Sequence, residues 1–453
     1  MAQFTIAESL QSPLVRVLLG LIGSALLYVL FQEVRKIPAT LFALMATAFL
    51  DMVGVLMIIP LLPFYVKNLS GDGGVQILGV NAGIGLISGV IVAAFTTAQL
   101  LSAPMWGRFS DRYGRRPALL IALGASAISY LIFGFADSLI VLFISRLVQG
   151  AGGGTVGVIQ AYVADSTEPA NRARALGWLS AATNLGVALG PVLGSFAVVL
   201  GMQDLMPGSG ELAMGHAAPG IVAAVLCLVT MWFAWKYLKE SREHAISDKP
   251  RRSSRQAAWR VISHSGEPAS RLIWIYAIAI GSFQGVNTVL ALFLNDRFLV
   301  TEKTIGFFFM YIGAISVFAR VLLLGPAVDR LGEARLSRLG IVLLTLGLVG
   351  MPLSRNIGML AIAVALLPLG TAFTFPCVTS LLSRVIPNHE RGLYMGMQQT
   401  FGGASRIVAP LFFGWAFDSI SVNAPYYFSA AFVAATLLLG FGMDQYAKTK
   451  VPA

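Results

Sequence analysis

What constrains this chain most is a run length. Between residues 39 and 443, apolar stretches of about 20 residues recur, separated by short polar loops. A bilayer core about 30 Å thick is crossed by about 20 helical residues at 1.5 Å each. By that measure two groups of six spans are expected. The first runs roughly over 39–66, 82–105, 117–136, 138–164, 172–200 and 219–238; the second over 271–295, 304–327, 336–354, 357–385, 391–417 and 424–443. Only 12% of the residues are charged and 57% are hydrophobic, so a water-soluble fold would leave far too much apolar surface exposed. The expected class is an all-α membrane protein.

The net charge of +11 would suggest nucleic acid if it were gathered on a soluble domain. Instead the charges fall in short loops: Arg108, Arg112, Arg115 and Arg116, then Arg172 and Arg174, then Arg330, Arg335 and Arg338, then Arg384 and Arg391, all on one side. That side is read as the cytoplasm of a multi-pass protein of the inner (plasma) membrane, with both ends of the core inside. The opposite loops carry few basic residues, among them Lys67, Arg297, Lys303 and Arg355; the longest, around 201–218, holds Asp204 and Glu211.

Other chemistries find no support. Cys227 and Cys377 lie in apolar runs, and His216, His244, His264 and His389 are scattered without metal-ligand spacing. No phosphate-binding GxxxxGK[ST] loop is present, so ATP-driven pumping is not indicated. The glycines from Gly150 to Gly154 follow no strand and break the dinucleotide-loop register at Thr155; close helix packing is their reading. Neither a cofactor nor a metal is expected, and the partners reduce to a small-molecule substrate, protons and lipid around a monomer.

Five segments are expected: an N-terminal apolar segment at 1–38, a six-helix bundle at 39–238, a basic cytoplasmic linker at 239–270, a second six-helix bundle at 271–443, and a cytoplasmic tail at 444–453. Within the first, residues 12–31 form an extra apolar helix that could lie in the interface, act as an uncleaved signal, or span. The linker, with Lys249, Arg251, Arg252 and Arg255, reads as a solvated positive-inside loop, a lipid-binding or regulatory role being the alternative.

A repeat underlies the two bundles. The loop after the second span carries Gly107, Asp111, Arg112 and Gly114; the loop after the eighth carries Gly325, Asp329, Arg330 and Gly332, both reading G-x-x-x-D-R-x-G at an offset of 325 − 107 = 218. Arg172, Gly177 and Pro191 match Arg391, Gly396 and Pro410 at an offset of 219. Two matches at nearly one offset indicate duplication of a six-helix unit. Six being even, the copies run parallel, about an axis along the membrane normal, with a cavity between them.

At this point the residues resemble the major facilitator superfamily, and within it the twelve-helix drug:proton antiporters such as the tetracycline exporters. Residues 107–116, through Arg115 and Arg116, match the signature loop of that superfamily. Arg146, Gln149, Gly150 and Gly152 match its R-x-x-Q-G-x-G pattern. Gly177, Gly186, Gly190, Pro191 and Gly194 resemble the antiporter motif of span five, with Ser195 where its final glycine usually stands. Asp51, Gly54, Pro60 and Pro63 resemble the D-x-x-G-x5-P pattern of span one. The resemblance covers about residues 39–443 and implies proton-coupled export of small amphipathic compounds, as in multidrug efflux and antibiotic resistance.

Asp51 lies about 18 Å into span one, and Arg146 about 12 Å down from the other side, so both belong near mid-membrane and can pair. An ionised side chain there costs from about 2.5 to over 10 kcal/mol unless it meets water or a partner. Desolvation favours the protonated acid and a nearby guanidinium favours the carboxylate, so altering their contact switches a proton on or off. A permanent structural ion pair is the alternative. The resemblance adds that spans one and four line the cavity and that Arg146 is associated with proton coupling.

Gly107, Asp111, Arg112, Gly114, Arg115 and Arg116, with Asp329 and Arg330, are expected to act as a conformational latch, making charge-assisted bonds to helix ends that break when the halves rock. Gly186, Gly190, Pro191 and Gly194 predict a bent fifth helix against a close neighbour; the resemblance associates this kink with exporters, and plain helix packing is the alternative. Gln99, Gln160, Asn184, Gln284, Asn287, Arg320, Gln398 and Arg406 are candidates for the substrate cavity. Span nine lacks the acid the tetracycline exporters carry there, which argues against tetracycline itself. A dedicated carrier of an endogenous organic anion, metabolite or lipid is the competing reading, signalled by Arg320 and Arg406. No catalytic dyad or activated nucleophile supports an enzyme.

Overall fold

The computed structural model describes residues 38–442, except 72–73, 78–79, 154, 169–171, 202–210, 239, 241–253 and 388–389. The extra apolar run at 12–31 and the tail at 444–453 lie outside the described residues. So does much of the linker.

The described residues are almost wholly helical. Its helices are α1 (Ala39–Ile58), α2 (Leu62–Ser70), α3 (Ile84–Tyr113), α4 (Arg115–Gly134), α5 (Leu139–Gly152), α6 (Thr155–Ser166), α7 (Arg172–Gly201), α8 (Glu211–Tyr237), α9 (Ser254–Ser263), α10 (Pro268–Phe298), α11 (Ile305–Phe318), α12 (Leu324–Leu331), α13 (Glu333–Leu353), α14 (Ile357–Val385), α15 (Arg391–Ser419) and α16 (Ala424–Gly440). A short antiparallel hairpin, β1 (Val75–Ile77) with β2 (Val80–Ala82), joins α2 to α3. Among the described residues, ten helical stretches are long and apolar enough to cross a membrane. The remaining two expected spans correspond to α15, whose run is interrupted by Gln398, Gln399 and Arg406, and to α16, which is apolar but shorter.

Three expected continuous spans are broken. The first parts between α1 and α2, where Pro60 withholds a backbone donor and Pro63 restarts the helix in its first turn. The fourth ends at Gly152 and resumes at Thr155, because the adjacent glycines do little to hold a helix together. In the eighth, Ala319–Leu323 form a π-helical turn between α11 and α12. Within the expected linker, α9 is a further difference: Ala257 and Val261, one turn apart, bury themselves against the second set of helices.

Packing groups the helices by position along the chain. One large apolar core draws on residues between Ala257 and Val433; two others are built mainly from residues between Ala43 and Leu238, with Ala291 and Ile305 joining one of them. Two long seams connect these cores, α3 lying along α15 and α7 along α11, and α10 also touches α2 and α3. We call the end of the molecule that carries the Gly107 loop the basic end, and the other the far end.

The seams are tight at the far end. A methyl added at Gly89 would overlap the Pro410 carbonyl, and one at Gly85 would meet Asp418 and the Gly414 carbonyl. Gly306 and Gly313 of α11 press in the same way on Pro191, Ser195 and Ala188 of α7. At the basic end, by contrast, Gly107, Gly177, Gly325 and Gly396 have no described atom within 4 Å of such a methyl. Among the described residues, the two sets of helices meet closely at the far end, while these four glycines stand clear at the basic end.

Candidate functional site

Asp51 of α1 and Arg146 of α5 are both buried, at 2% and 4% exposure, so neither is a surface ornament. Arg146 reaches Gln149 with one guanidinium nitrogen and Ser145 Oγ at 3.3 Å with Nε, and its charge stands 4.6 Å from the Phe133 ring and 5.9 Å from that of Tyr130. Gln149 in turn donates to the Tyr130 hydroxyl at 2.6 Å. That hydroxyl abuts Gly54, one turn from Asp51 on the same face of α1. Tyr130 and Gln149 thus stand between the face of α1 that carries Asp51 and the Arg146 guanidinium. Phe133 is in the last turn of α4 and Tyr130 one turn further in, which sets Arg146 nearer the far end than Asp51.

Gly54 permits this approach. Even a methyl there would press to 3.3 Å on the Tyr130 ring. Arg146 Nη2 is buried without a hydrogen-bond partner among the described residues, a state that costs about 1–3 kcal/mol or more for a charged group.

A cavity of about 560 Å³ lies beside this network toward the basic end, lined by Ala48, Met52, Gln160, Leu176, Ser180 and Thr183 among others. Of the eight predicted cavity residues Gln160 lines it, and Asn184 adjoins it by donating to the Ser180 carbonyl at 2.7 Å. Arg320, in the π-helical turn, hydrogen-bonds Asn184 Oδ1 across the α7–α11 seam. The others are placed differently. Gln99 reaches the Gly153 carbonyl at 3.4 Å, Asn287 the Phe283 carbonyl at 2.9 Å, and Gln284 is half-buried on α10. Gln398 is fully buried and accepts from Thr379 at 3.4 Å. Arg406 is half-buried on α15 with no hydrogen bond or ion pair to the described residues.

The Gly107 loop turns through Gly114 at φ 106°, a conformation suited to glycine, and a methyl there would also strike Glu240. Arg115 bridges Asp111 at 2.7 Å and Asp165 at 2.9 Å. Glu240 accepts from the Arg115 and Arg116 amides at 2.8 and 3.2 Å, capping α4, and Arg116 also bonds the Trp235 carbonyl. Arg112 lies 5.4 Å from the Tyr113 ring. These contacts stay among α3, α4, α6 and the end of α8. Asp329 and Arg330 make none among the described residues.

Sequence reasoning passed over the second copy's counterpart. Glu333, 8% exposed, accepts from Ser380 and Arg384 at 2.7 Å each. The repeat offsets of 218 and 219 carry Arg115 onto Glu333 and Asp165 onto Arg384, so the same bridge recurs with its charges exchanged. Glu333→Lys is expected to lower stability by about 2–3 kcal/mol, by setting a second cation against Arg384, and Glu333→Arg with Arg384→Glu to recover most of it; thermal unfolding in detergent measures both.

On α7, Gly186, Gly190 and Gly194 face Phe49, Leu56 and Met57 of α1, close enough that a methyl would meet backbone carbonyls. The stripe packs α7 on α1. Ser195, where the motif usually has glycine, donates to the Glu302 carbonyl and accepts from the Gly306 amide, both at 2.9 Å, across the far-end seam. Asp418 does the equivalent on the other seam, accepting from the Gly85 and Leu86 amides at 3.0 and 2.7 Å and so capping the first turn of α3.

Comparisons with known proteins bear on the family and the fold. A family model described as Major Facilitator Superfamily matches residues 44–324 and 272–453. Multidrug resistance protein 2 of Bacillus subtilis (strain 168) is 26% identical over 414 residues, covering 90% of this chain and 94% of that protein. The class G tetracycline resistance protein of Vibrio anguillarum is 29% identical over 366 residues, covering 80% and 86%. Among solved structures, a D-xylose-proton symporter superposes with a TM-score of 0.67 at 17% identity over 91% of this chain and 98% of the other. The human organic anion transporter MFSD10 (TETRAN) does so at 0.63 and 22% identity, over 89% and 99%. At those identities the likeness is one of fold.

Proposed function

Because this chain belongs to the major facilitator superfamily of membrane transporters, we propose that it is a twelve-helix, proton-coupled antiporter that exports small amphipathic compounds by alternating access. The observation that carries the reading is the burial of Asp51 near the Tyr130–Gln149–Arg146 chain, beside a cavity that lies toward the basic end. The relatives named for multidrug and tetracycline resistance support export and a drug-like cargo.

In this proposal α1 to α8 and α10 to α16 form the two six-helix bundles and the basic end faces the cytoplasm. Substrate enters from that side and reaches the cavity by Gln160. Asp51 then releases its proton inward, the far-end seams part, and substrate leaves outward. A proton entering from outside neutralises Asp51 and resets the carrier, with Arg146 adjusting its contacts through Gln149 and Tyr130. The Gly107 loop and the Asp329–Arg330 turn would meet opposing helix ends in the outward-open state and act as its latch. Asp418 and Ser195 hold the other state.

The direct test is proton release from energised inside-out vesicles on adding cationic, zwitterionic and anionic amphipaths. Substrate-triggered collapse of the pH gradient supports antiport; transport of substrate with no proton movement would sink it.

Asp418→Ala removes two charge-assisted hydrogen bonds that exist only when the far end is closed. A loss of about 2 kcal/mol moves the equilibrium about thirtyfold toward the outward-open state. With Cys227 and Cys377 replaced, Ala291→Cys at the far-end core reports it: an impermeant maleimide added outside should label the Asp418→Ala protein at least tenfold faster.

A further inference from the structure

We propose that the cargo carries an acidic group, and that Arg320 recognises it, with Arg406 as a second cationic point. The inference rests on the reading of the cavity as the transport site and goes beyond it by naming the substrate's charge.

Three observations converge. The first is charge at depth. Taking 1.5 Å per residue, Arg320 lies about 16 Å from Leu331 at the basic end, Arg406 about 22 Å from Arg391, and Asp51 about 18 Å from Ala39. Among the described residues, the charged side chains remote from both helix ends are Asp51, Arg146, Arg320 and Arg406. Three cations stand against one acid. Ionised side chains at this depth are costly unless something compensates them.

The second is the build of the Arg320 site. Gly306, Gly313 and Arg320 follow at seven-residue spacing down one face of the eighth helical stretch, the two glycines meeting Ser195 and Ala188 of α7 and Arg320 meeting Asn184. The π-helical turn begins one residue before Arg320. Such turns are frequent at functional sites, where the extra residue re-aims a side chain at the cost of regular bonding. Asn184 Oδ1 accepts from Arg320, while Asn184 Nδ2 is engaged with the Ser180 carbonyl, so the amide orients the guanidinium without neutralising it. Nε of Arg320 is buried and has no described partner. Ser180, which accepts from Asn184, and Thr183, the residue before Asn184, line the cavity. A planar fork of donors with spare capacity, bonded to Asn184 next to the cavity wall, suits a carboxylate or another planar acid.

The third is the direction of Arg406. On α15, Gly403, Pro410 and Gly414 meet α3, whereas Gly402, Ser405 and Phe413 meet α10. At 100° per residue Arg406 falls on the arc between those faces, on the side of α15 where α3 and α10 approach each other. It is half-buried and has no described counter-ion.

The test compares three fluorescent amphipaths that share one ring system: dansylglycine, an anion; dansylamide, neutral; and dansylcadaverine, a cation. Binding is followed by fluorescence to the purified full-length protein in nanodiscs of neutral lipid. Dansylglycine is expected to bind at least tenfold tighter than dansylamide, and dansylcadaverine no better than dansylamide. Arg320→Gln should bring the dansylglycine-to-dansylamide ratio close to one, and Arg406→Gln should reduce it severalfold. Arg320→Lys should keep part of it, which separates lost charge from lost fold. Exposed Arg335→Gln should leave it unchanged. A ratio near one in the unmodified protein, a preference for the cation, binding of none of the three, or a ratio indifferent to Arg320→Gln overturns the inference. Vesicle assays keep the two readings apart: proton-coupled export of a cation without anion preference sinks this inference alone, and anion-selective binding without proton release sinks antiport alone.

Discussion

Asp51→Asn is expected to abolish substrate-triggered proton release, by at least about a hundredfold, while the protein still inserts and still binds its substrate. Asparagine has nearly the shape of aspartate and can stay in the same buried place on α1, but it cannot take up or lose a proton. The neighbouring contacts, Gly54 on Tyr130 and Gln149 on the Tyr130 hydroxyl, do not involve the carboxylate and are kept in the variant. A structural role predicts the opposite pattern, with thermal stability falling and coupling spared in whatever protein remains. Measuring both the pH-gradient collapse in inside-out vesicles and the unfolding temperature decides between them. Retained proton release in Asp51→Asn would move the coupling site elsewhere.

The second large effect concerns the seam between α3 and α15. Gly89→Leu should reduce transport at least tenfold without preventing insertion. Added atoms at Gly89 meet the Pro410 carbonyl, a backbone group held on its own helix, and Gly85 and Gly414 crowd the next turn. Overpacking costs about 1–3 kcal/mol where side chains can yield, and more where backbone faces backbone. The strain exists only while the far end is closed, so the variant accumulates with that end open. Ala291→Cys labelled from outside should then react faster, in parallel with the transport loss. Gly124→Ala serves as the control, since its nearest described atom is Met231 Sδ at 3.9 Å and the change should leave transport as it was. Normal transport by Gly89→Leu would mean that the seam does not need to close as tightly as it does here.

Run length placed the helices well because each stretch must satisfy its backbone within itself, so position along the chain and depth in the membrane are local properties. Depth does not include direction around a helix axis. Asp51 and Arg146 could be assigned similar depths, yet the side chains between them, Tyr130 and Gln149, emerge only when α1, α4 and α5 are set side by side. Asp418 was invisible for a stronger reason: its partners are the amides of Gly85 and Leu86, and no spacing rule joins a carboxylate to main chain on another helix. The π-helical turn at Ala319–Leu323 has no composition of its own. Glu333 is different, because it was legible. The offset that paired Gly107 with Gly325 also pairs Arg115 with Glu333, but a motif comparison that looks for like residues overlooks a position where the charge has changed sign.

The capping of α3 by Asp418 also bears on how the chain is made. The Gly85 amide and the carboxylate that accepts from it are 333 residues apart. At about 5–20 residues per second of synthesis, roughly 15–70 seconds pass between the two. Throughout that interval the first turn of α3 must rely on water or headgroups at the membrane surface for its open amides. The nascent first half therefore enters the bilayer with its far end unsealed, and the last long helix to be completed but one closes it.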